Sequence, residues 1–305
     1  MKKICLALIG VLSISFNSYG IDKVIYGKDD RLEMYQFVAS PLAYLGDSVA
    51  AMIEKRNLKK SLIGDYMEFS RRVKKLKDAY GFCGKENFDE QPTAGMCTGF
   101  LVHPKIIVTA GHCYATFRRD MCKHANWVFD YKVPRNRNSM KMAIWPENVY
   151  RCKKVHKEIM NMRTGVDYAI VELDREVLGR DPVILNRDSI AREGDRLLIM
   201  GHPMGLPLKV ASNARVINNG EIFFATNLDS FQGNSGSPVF NLKSGEVEGI
   251  LVRGKSDLLQ KNSCYKINYC DENGNNCDQD SRPSGEEVLA VNSFKDELDK
   301  VLRKL

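Results

Sequence analysis

Beyond residue 98, short apolar runs alternate with turn residues along the chain. The runs cover residues 99–102, 106–109, 127–131, 167–173, 196–200, 208–211, 215–217, 222–225, 238–240, 247–252 and 288–291. Short runs separated by Gly, Pro and Asn are typical of the strands of β-sandwiches and β-barrels. This part of the chain is therefore predicted to be all-β, with a crossover connection over 174–194.

Residues 46–80 follow a helical pattern instead. Apolar positions recur there at intervals of three and four, the period of an amphipathic helix: Val49, Met52 and Ile53, then Tyr66, Phe69, Val73 and Leu76. Two helices packed on the main body are predicted, and the alternative is a pro-segment that is removed. A last helix is predicted to run to the end of the chain, with Ser293 as its cap and Asp296 three residues later.

The first twenty residues have the pattern of an export signal. Lys2 and Lys3 precede an apolar run over 4–16, and small residues around Gly20 offer a cleavage site. No later stretch is long and apolar enough to span a membrane. The predicted location is secreted or periplasmic. The formal net charge is only +7, with basic and acidic residues interspersed, so a nucleic-acid partner is not expected.

The chain contains nine cysteines, of which Cys5 lies in the signal. An even number in an exported chain indicates disulfides. The remaining eight are Cys83, Cys97, Cys113, Cys122, Cys152, Cys264, Cys270 and Cys277. Zinc is not favoured because no Cys-x-x-Cys pair occurs, and no metal or other cofactor is predicted. The acidic loop over 271–278 lacks the terminal Glu of an EF-hand, so a solvated, disulfide-tied loop is favoured over a calcium site.

Three residues at predicted strand ends suggest nucleophilic catalysis. Ser235 lies between two glycines in a turn, a pattern that alone indicates only a loop. His112 follows one apolar run, and Asp167 begins another, where an acid is costly unless it is paired. Together they make a candidate nucleophile, base and orienting acid. The order His, Asp, Ser excludes an α/β-hydrolase, in which Ser comes first.

These motifs resemble those of the trypsin-like (chymotrypsin-fold) serine proteases, most closely the bacterial branch related to glutamyl endopeptidase-like enzymes. The matching segments are Thr109-Ala-Gly-His-Cys113, Asp167-Tyr-Ala-Ile-Val171, Gly233-Asn-Ser-Gly-Ser-Pro238, Gly201-His-Pro-Met-Gly205 and the opening Val24-Ile-Tyr-Gly27. The resemblance implies two six-stranded antiparallel β-barrels, with the helical N-terminal segment and C-terminal helix added. The expected divisions are a signal peptide over 1–20, a strand and helical segment over 21–92, a first barrel over 93–180 and a second over 181–305.

The resemblance also implies roles for individual residues. Ser235 would attack the substrate carbonyl, His112 would take its proton, and Asp167 would orient the histidine. The amides of Gly233 and Ser235 would form the oxyanion hole. A disulfide would join Cys97 to Cys113, while the other six cysteines allow 15 pairings.

The substrate preference is implied by the residue six positions before the nucleophile. That residue, Asp229, would lie at the base of the primary pocket with Ser230 beside it and Gly254 in the wall, favouring cleavage after Arg or Lys. The alternative is that Asp229 caps a turn or pairs with Arg253, which stands where the family usually has tryptophan. Leu251 replaces the histidine of glutamyl-specific relatives and argues against cleavage after Glu.

The expected function is therefore that of a secreted serine endopeptidase with protein or peptide substrates, acting as a monomer without stable membrane insertion. Trypsin-type zymogens carry an Asp before the nucleophile, and Asn234 stands there, which argues against their charge-pairing activation. The alternative from another class is a catalytically silent homologue that acts as a binding protein.

Overall fold

The computed structural model describes residues 24–116, 119–135, 139–278 and 285–305, and the predicted signal peptide lies outside these ranges. Strands dominate this part of the chain. They are β1 Ile25–Tyr26, β2 Leu32–Glu33, β3 Val49–Glu54, β4 Leu58–Lys60, β5 Met67–Phe69, β6 Gly95–His103, β7 Ile106–Thr109, β8 Ala125–Val128, β9 Val149–Met160, β10 Asp167–Leu173, β11 Arg196–Gly201, β12 Lys209–Asn219, β13 Phe223–Thr226, β14 Pro238–Asn241, β15 Val247–Arg253, β16 Leu258–Lys261, β17 Cys264–Ile267, β18 Tyr269–Cys270 and β19 Glu286–Ala290. The short helices are α1 Met34–Phe37, α2 Leu76–Tyr80, α3 His112–Ala115, α4 Met121–His124 and α5 Lys295–Leu302.

The first β-barrel is closed and has six antiparallel strands. Its order is β10-β7-β6-β3-β8-β9, and β9 pairs with β10 to close the ring. Apolar side chains from these strands fill the core, among them the fully buried Phe100, Val108 and Ile170. Burial of such residues is the main favourable term in folding, and it holds the ends of β7 and β10 next to each other.

The second barrel also has six antiparallel strands, in the order β11-β14-β15-β19-β13-β12, and the pairing of β12 with β11 closes it. The short strand β2 adds to the side of β12. Leu197, Val239 and Val288 are fully buried and belong to the same apolar cluster. The prediction of two six-stranded barrels is confirmed, as is the terminal helix, α5.

The prediction of two helices over 46–80 is wrong. Residues 49–54 form β3, which lies between β6 and β8 in the first barrel, and α2 is the single α-helix from 46 to 80. All six residues of β3 are buried, so the run is apolar on both faces and has no period-2 alternation. The intervals between its apolar residues therefore match a helix equally well. The first barrel thus takes one of its strands from the segment assigned to 21–92.

Two smaller differences concern β9 and the last helix. The strand β9 was not predicted, because half of its twelve residues are polar and only one is buried. Ser293 does not cap α5, since its hydroxyl donates to the Ile222 carbonyl and Phe294 occupies the cap position. The prediction of a serine cap is therefore wrong, although the helix itself is present.

Four disulfides account for the eight cysteines. The pair Cys97–Cys113 is the one that the resemblance implied. The others are Cys83–Cys264, Cys122–Cys152 and Cys270–Cys277. In the 271–278 loop the Asp271 carboxylate accepts from the amides of Asn273 and Asn275, which is the disulfide-tied turn favoured over a calcium site. None of the helices in the described ranges is long and apolar enough to cross a membrane.

Candidate active site

His112 and Asp167 meet at the open end of the first barrel. His112 begins α3 directly after β7, and Asp167 is the first residue of β10, the strand that pairs with β7. Asp167 Oδ2 lies 2.6 Å from His112 Nδ1, and Asp167 Oδ1 accepts from the His112 amide at 2.8 Å. Both side chains are buried. Because the carboxylate can only accept, Nδ1 is the protonated nitrogen and Nε2 is left as the basic one.

Ser235 lies in the turn between β13 and β14, and this turn packs against the loop that carries His112. The Ser235 carbonyl accepts from the Thr98 amide at 2.9 Å and lies 3.8 Å from Cys113 Sγ. A Cβ on Gly236 would come within 2.2 Å of the Thr98 carbonyl oxygen and 2.8 Å of the Ala110 nitrogen. The glycine next to the serine is thus required for the close approach of the two barrels.

His112 Nε2 is buried and has no hydrogen-bond partner among the residues that the structure describes. A buried nitrogen left without a partner is costly, and such atoms are found where chemistry requires them. The contacts of Ser235 with Thr98 and Cys113 bring the serine to the same loop as this imidazole. The arrangement can therefore supply a nucleophile beside a correctly oriented base.

The turn at 231–237 holds the residues that are predicted to form the oxyanion hole. Gly233 has φ +92°, and its carbonyl accepts from Thr98 Oγ1 at 2.8 Å. The amides of Asn234 and Gly236 donate within the protein, to Phe231 and Leu251 respectively. These two amides are therefore engaged within the protein, and the amides of Gly233 and Ser235 are the ones that the sequence predicts for the oxyanion hole.

The segment 201–205 supports this turn from behind. The Met204 amide donates to the Gln232 carbonyl at 2.5 Å, and a Cβ on Gly233 would come 2.5 Å from the His202 carbonyl oxygen. His202 is itself buried. Its Nδ1 lies 3.0 Å from the Leu206 carbonyl, its ring stacks on Tyr131, and burial lowers its pKa to about 3.

Asp229 is buried in the loop before the nucleophile, where its carboxyl group holds the N-terminal segment. Its Oδ1 accepts from the Tyr26 amide at 2.7 Å, and its Oδ2 accepts from the Asp30 amide at 2.9 Å. Burial, and then the nearby carboxylate of Asp30, raise the pKa of Asp229 well above its usual value. These contacts match the turn-capping alternative rather than a carboxylate presented to a substrate.

Ser230 and Gly254 do lie together, and the residue between them is Glu286, which sequence reasoning missed. Ser230 Oγ donates to Glu286 Oε2 at 2.5 Å, and a Cβ on Gly254 would come 2.1 Å from the same oxygen. Glu286 is fully buried and begins β19, an otherwise mainly apolar strand. An acid at the start of an apolar strand is the signal that identified Asp167, so the sequence did contain a clue.

Arg253 does not pair with Asp229. Its Nε contacts the carboxylate of Glu287, and its Nη1 donates to the Gly165 carbonyl at 3.1 Å. Gly165 lies two residues before Asp167, in the loop that joins β9 to β10. Arg253 therefore bridges from the second barrel to the first, two residues from the candidate catalytic residue Asp167.

One group of potential metal ligands occurs in the described ranges, Cys97, His112 and Cys113. The two cysteines are joined in a disulfide, so neither offers a thiolate. Since metal ligation by cysteine requires the thiolate, this group does not fit a metal ion.

Comparison with known proteins agrees with this geometry. Residues 97–250, half of the chain, match the trypsin-like peptidase domain family. The chain belongs to the trypsin-like peptidase family. This peptidase is a serine endopeptidase, related to the glutamyl endopeptidases in fold. A solved structure entitled "Structure of Glu endopeptidase in complex with MPD" superposes with a TM-score of 0.51, at 14% identity, over 92% of this chain and 100% of that chain. No curated protein sequence is a significant match.

Proposed function

We propose that this trypsin-like peptidase hydrolyses peptide bonds with Ser235 as nucleophile, His112 as general base and acid, and Asp167 as the residue that orients His112. The observation that carries the proposal is the double contact of the Asp167 carboxylate with the ring and amide of His112, beside the turn that holds Ser235. The hydroxyl would attack the carbonyl carbon as Nε2 takes its proton. The resulting oxyanion would be stabilised by the amides of Gly233 and Ser235.

Collapse of the tetrahedral intermediate would break the peptide C–N bond. His112 would return the proton to the leaving amine, and the acyl group would stay on Ser235 until water, deprotonated by the same imidazole, releases it. Asp167 stabilises the imidazolium in both halves of the cycle without taking a proton itself.

A fluorophosphonate probe tests the nucleophile directly, because it phosphonylates a serine only when the serine is activated. Labelling is expected at Ser235 and is expected to be lost in Ser235→Ala. Ser237→Ala is a matched control: Ser237 lies two residues away in the same turn, and its hydroxyl is buried without a hydrogen-bond partner in the described ranges. Folded protein that gives no adduct at Ser235 would support the alternative, a silent homologue that binds partners.

The proposed substrates are proteins or peptides, cleaved after Arg or Lys. The carboxylate of Glu286, which lies beside Ser230 and Gly254, supports this preference, since a desolvated acid favours a basic partner. Replacement of the histidine of glutamyl-specific relatives by Leu251 disfavours cleavage after Glu. Profiling with a peptide library tests the preference, and cleavage indifferent to Arg and Lys would refute it.

We also propose that the peptidase is exported. The four disulfides are consistent with an oxidising compartment, and the pattern over 1–20 is typical of a bacterial export signal. N-terminal sequencing of the protein recovered outside the cytoplasm tests this, with a start at Ile21 expected. A start beyond residue 80 would contradict the structure, because β3 would be missing from the first barrel.

A further inference from the structure

The hairpin formed by β4 and β5 presents two aliphatic side chains to solvent at its tip. Leu62 is 96% exposed and Ile63 is 86% exposed, more than any other large apolar residue in the described ranges. Turns between strands ordinarily carry Gly, Asn, Asp or Ser, which cost little to expose. Adjacent apolar side chains held in solvent are typical of a surface that meets a protein or a membrane.

Hydrogen bonds within the hairpin hold this tip in an outward position. The Ser61 amide donates to the Tyr66 carbonyl at 2.8 Å, and the Ser61 hydroxyl donates to Glu68 Oε1 at 2.7 Å. At the other end of the hairpin, Leu58 and Phe69 are buried in an apolar cluster with residues of the first barrel. The hairpin is therefore anchored in the body of the protein while its tip points away from it.

Aromatic side chains lie next to the tip. The rings of Tyr66 and Trp145 meet edge to face, with 5.8 Å between their centroids. Trp145 is half exposed and borders a cavity that the exposed side chains of Tyr35 and Tyr44 also line. Tyrosine and tryptophan combine an apolar ring with a polar group, which suits the boundary between water and hydrocarbon.

The segment that contains the hairpin is strongly basic. Residues 55–77 include nine basic and two acidic residues, which gives a formal net charge of +7, as much as the whole chain carries. Arg71, Arg72 and Lys74 are exposed, and none of the three forms an ion pair within the part of the chain that the structure describes. Lys60 lies 3.6 Å from Asp65, but both side chains are exposed and such a pair contributes little.

We propose that the hairpin is a peripheral membrane anchor, which inserts Leu62 and Ile63 into an anionic lipid bilayer and places Trp145 at the level of the headgroups. A basic surface with an apolar tip complements such a bilayer in both charge and polarity. A second copy of the chain is disfavoured as the occupant, because two segments of charge +7 repel each other. The two aliphatic side chains project from the tip, which suits insertion into lipid better than a flat protein contact. Binding of this kind is reversible and leaves no segment across the bilayer.

Sedimentation with vesicles tests the anchor, in a Ser235→Ala background that makes the result independent of the proposed catalysis. The parent is expected to bind vesicles of equal parts phosphatidylglycerol and phosphatidylcholine, and to bind phosphatidylcholine vesicles far less. The double variant Leu62→Ser, Ile63→Ser is expected to bind about 100-fold more weakly or worse, because two apolar side chains lose their burial in lipid. The matched control is Leu178→Ser, Ile184→Ser, which changes two exposed aliphatic residues between the barrels and should bind like the parent.

A second pair of variants tests the charge of the segment. Arg71→Gln with Arg72→Gln should weaken binding to the anionic vesicles by about 25-fold, since each basic residue near such a surface contributes about fivefold. Arg192→Gln with Arg196→Gln, two exposed arginines of the second barrel, should change binding much less. All these positions are exposed, so an unchanged melting temperature will show that each variant is folded.

Trp145 provides a readout of insertion in the parent itself. The chain has two tryptophans, and the other, Trp127, is buried in the first barrel. Addition of the anionic vesicles is therefore expected to shift the tryptophan emission to shorter wavelength, and Trp145→Phe should abolish the shift.

Three results would overturn the inference. The first is a parent that does not bind the anionic vesicles. The second is binding that the arginine variant loses but the Leu62 and Ile63 variant keeps, which would reduce the contact to electrostatic attraction of the kind that an acidic protein could also supply. The third is self-association of the free protein that the Leu62 and Ile63 variant abolishes, which would assign the tip to a second copy of the chain.

Discussion

Burial of His202 behind the active-site turn makes the stability of this peptidase dependent on pH. Its ring is 1% exposed, and burial lowers its pKa from 6.5 to about 3. The unfolded chain therefore binds more protons than the folded protein between these two values. The contribution of the neutral, buried His202 ring to the free energy of unfolding is fully present above pH 6.5 and is lost as the pH falls toward 3.

The size of the effect follows from the difference between the two pKa values. One pKa unit corresponds to about 1.4 kcal/mol, so at pH 4.5 the free energy of unfolding falls by about 3 kcal/mol on account of His202 alone. This is a large share of the roughly 5–15 kcal/mol that stabilises an ordinary folded protein. Acid should therefore destabilise the protein through this residue before most carboxylates are protonated.

The assay is urea unfolding at pH 7 and pH 4.5, in a Ser235→Ala background that prevents self-digestion. His202→Gln removes the titrating ring while keeping a side-chain donor for the Leu206 carbonyl. The variant is expected to be less stable than the parent at pH 7. Between pH 7 and pH 4.5, however, its free energy of unfolding should fall by about 3 kcal/mol less than that of the parent. His156→Gln is the control, since His156 is the partly buried partner of Glu172. Equal acid sensitivity of the parent and His202→Gln would refute the reasoning.

Three further predictions concern the site itself. Asp167→Asn should lower kcat by about 10⁴-fold, because the amide favours the wrong imidazole tautomer. The control is Glu172→Gln, in the other His–acid pair, His156 and Glu172, which should leave kcat within a few-fold. Steady-state kinetics on one peptide measures both. Gly233→Ala should lower kcat by about 10²-fold or more and lower the melting temperature. The reasons are that the new Cβ would clash with backbone atoms of 202–205 and that φ at this position is +92°. An unchanged kcat would contradict the proposed oxyanion hole. Arg253→Gln should remove the bridge to the Gly165 carbonyl and change KM for long peptides more than for short ones, as peptides of graded length will show.

The β-rich part of the chain and the three candidate catalytic residues could be recognised in the sequence because their signals are local, whereas the two barrels were implied by the family resemblance. Each of His112, Asp167 and Ser235 stands at the end of an apolar run, and the topology brings those ends together. The strand β3 was not predictable in the same way. It is buried on both faces, so its residues show no alternation and its spacing fits a helix.

The pocket was predictable only in part, because the role of an acid depends on which groups reach it. Asp229 stands at the expected distance before Ser235. Its carboxyl group, however, accepts hydrogen bonds from the amides of Tyr26 and Asp30, about two hundred residues earlier in the chain. Glu286 is about fifty residues beyond Ser235 and lies against Ser230 and Gly254 only because β19 pairs with β15. Neither contact follows from the local pattern of residues, although an acid at the start of the apolar strand β19 was a clue that Glu286 is paired.

The same contacts explain why the segment over 24–33 belongs to the folded peptidase. Its backbone satisfies Asp229, and Asp30 in turn accepts from the amides of Ser212 and Asn213 on β12. Arg31 lies over the ring of Phe231, in the turn that precedes the nucleophile, at 4.4 Å from the ring centroid. Removing this segment would leave buried polar groups of the second barrel without partners, and removing β3 as well would open the first barrel. Loss of residues 24–80 is therefore expected to disturb the way that the turn with Ser235 is held, which disfavours the alternative of a removable pro-segment.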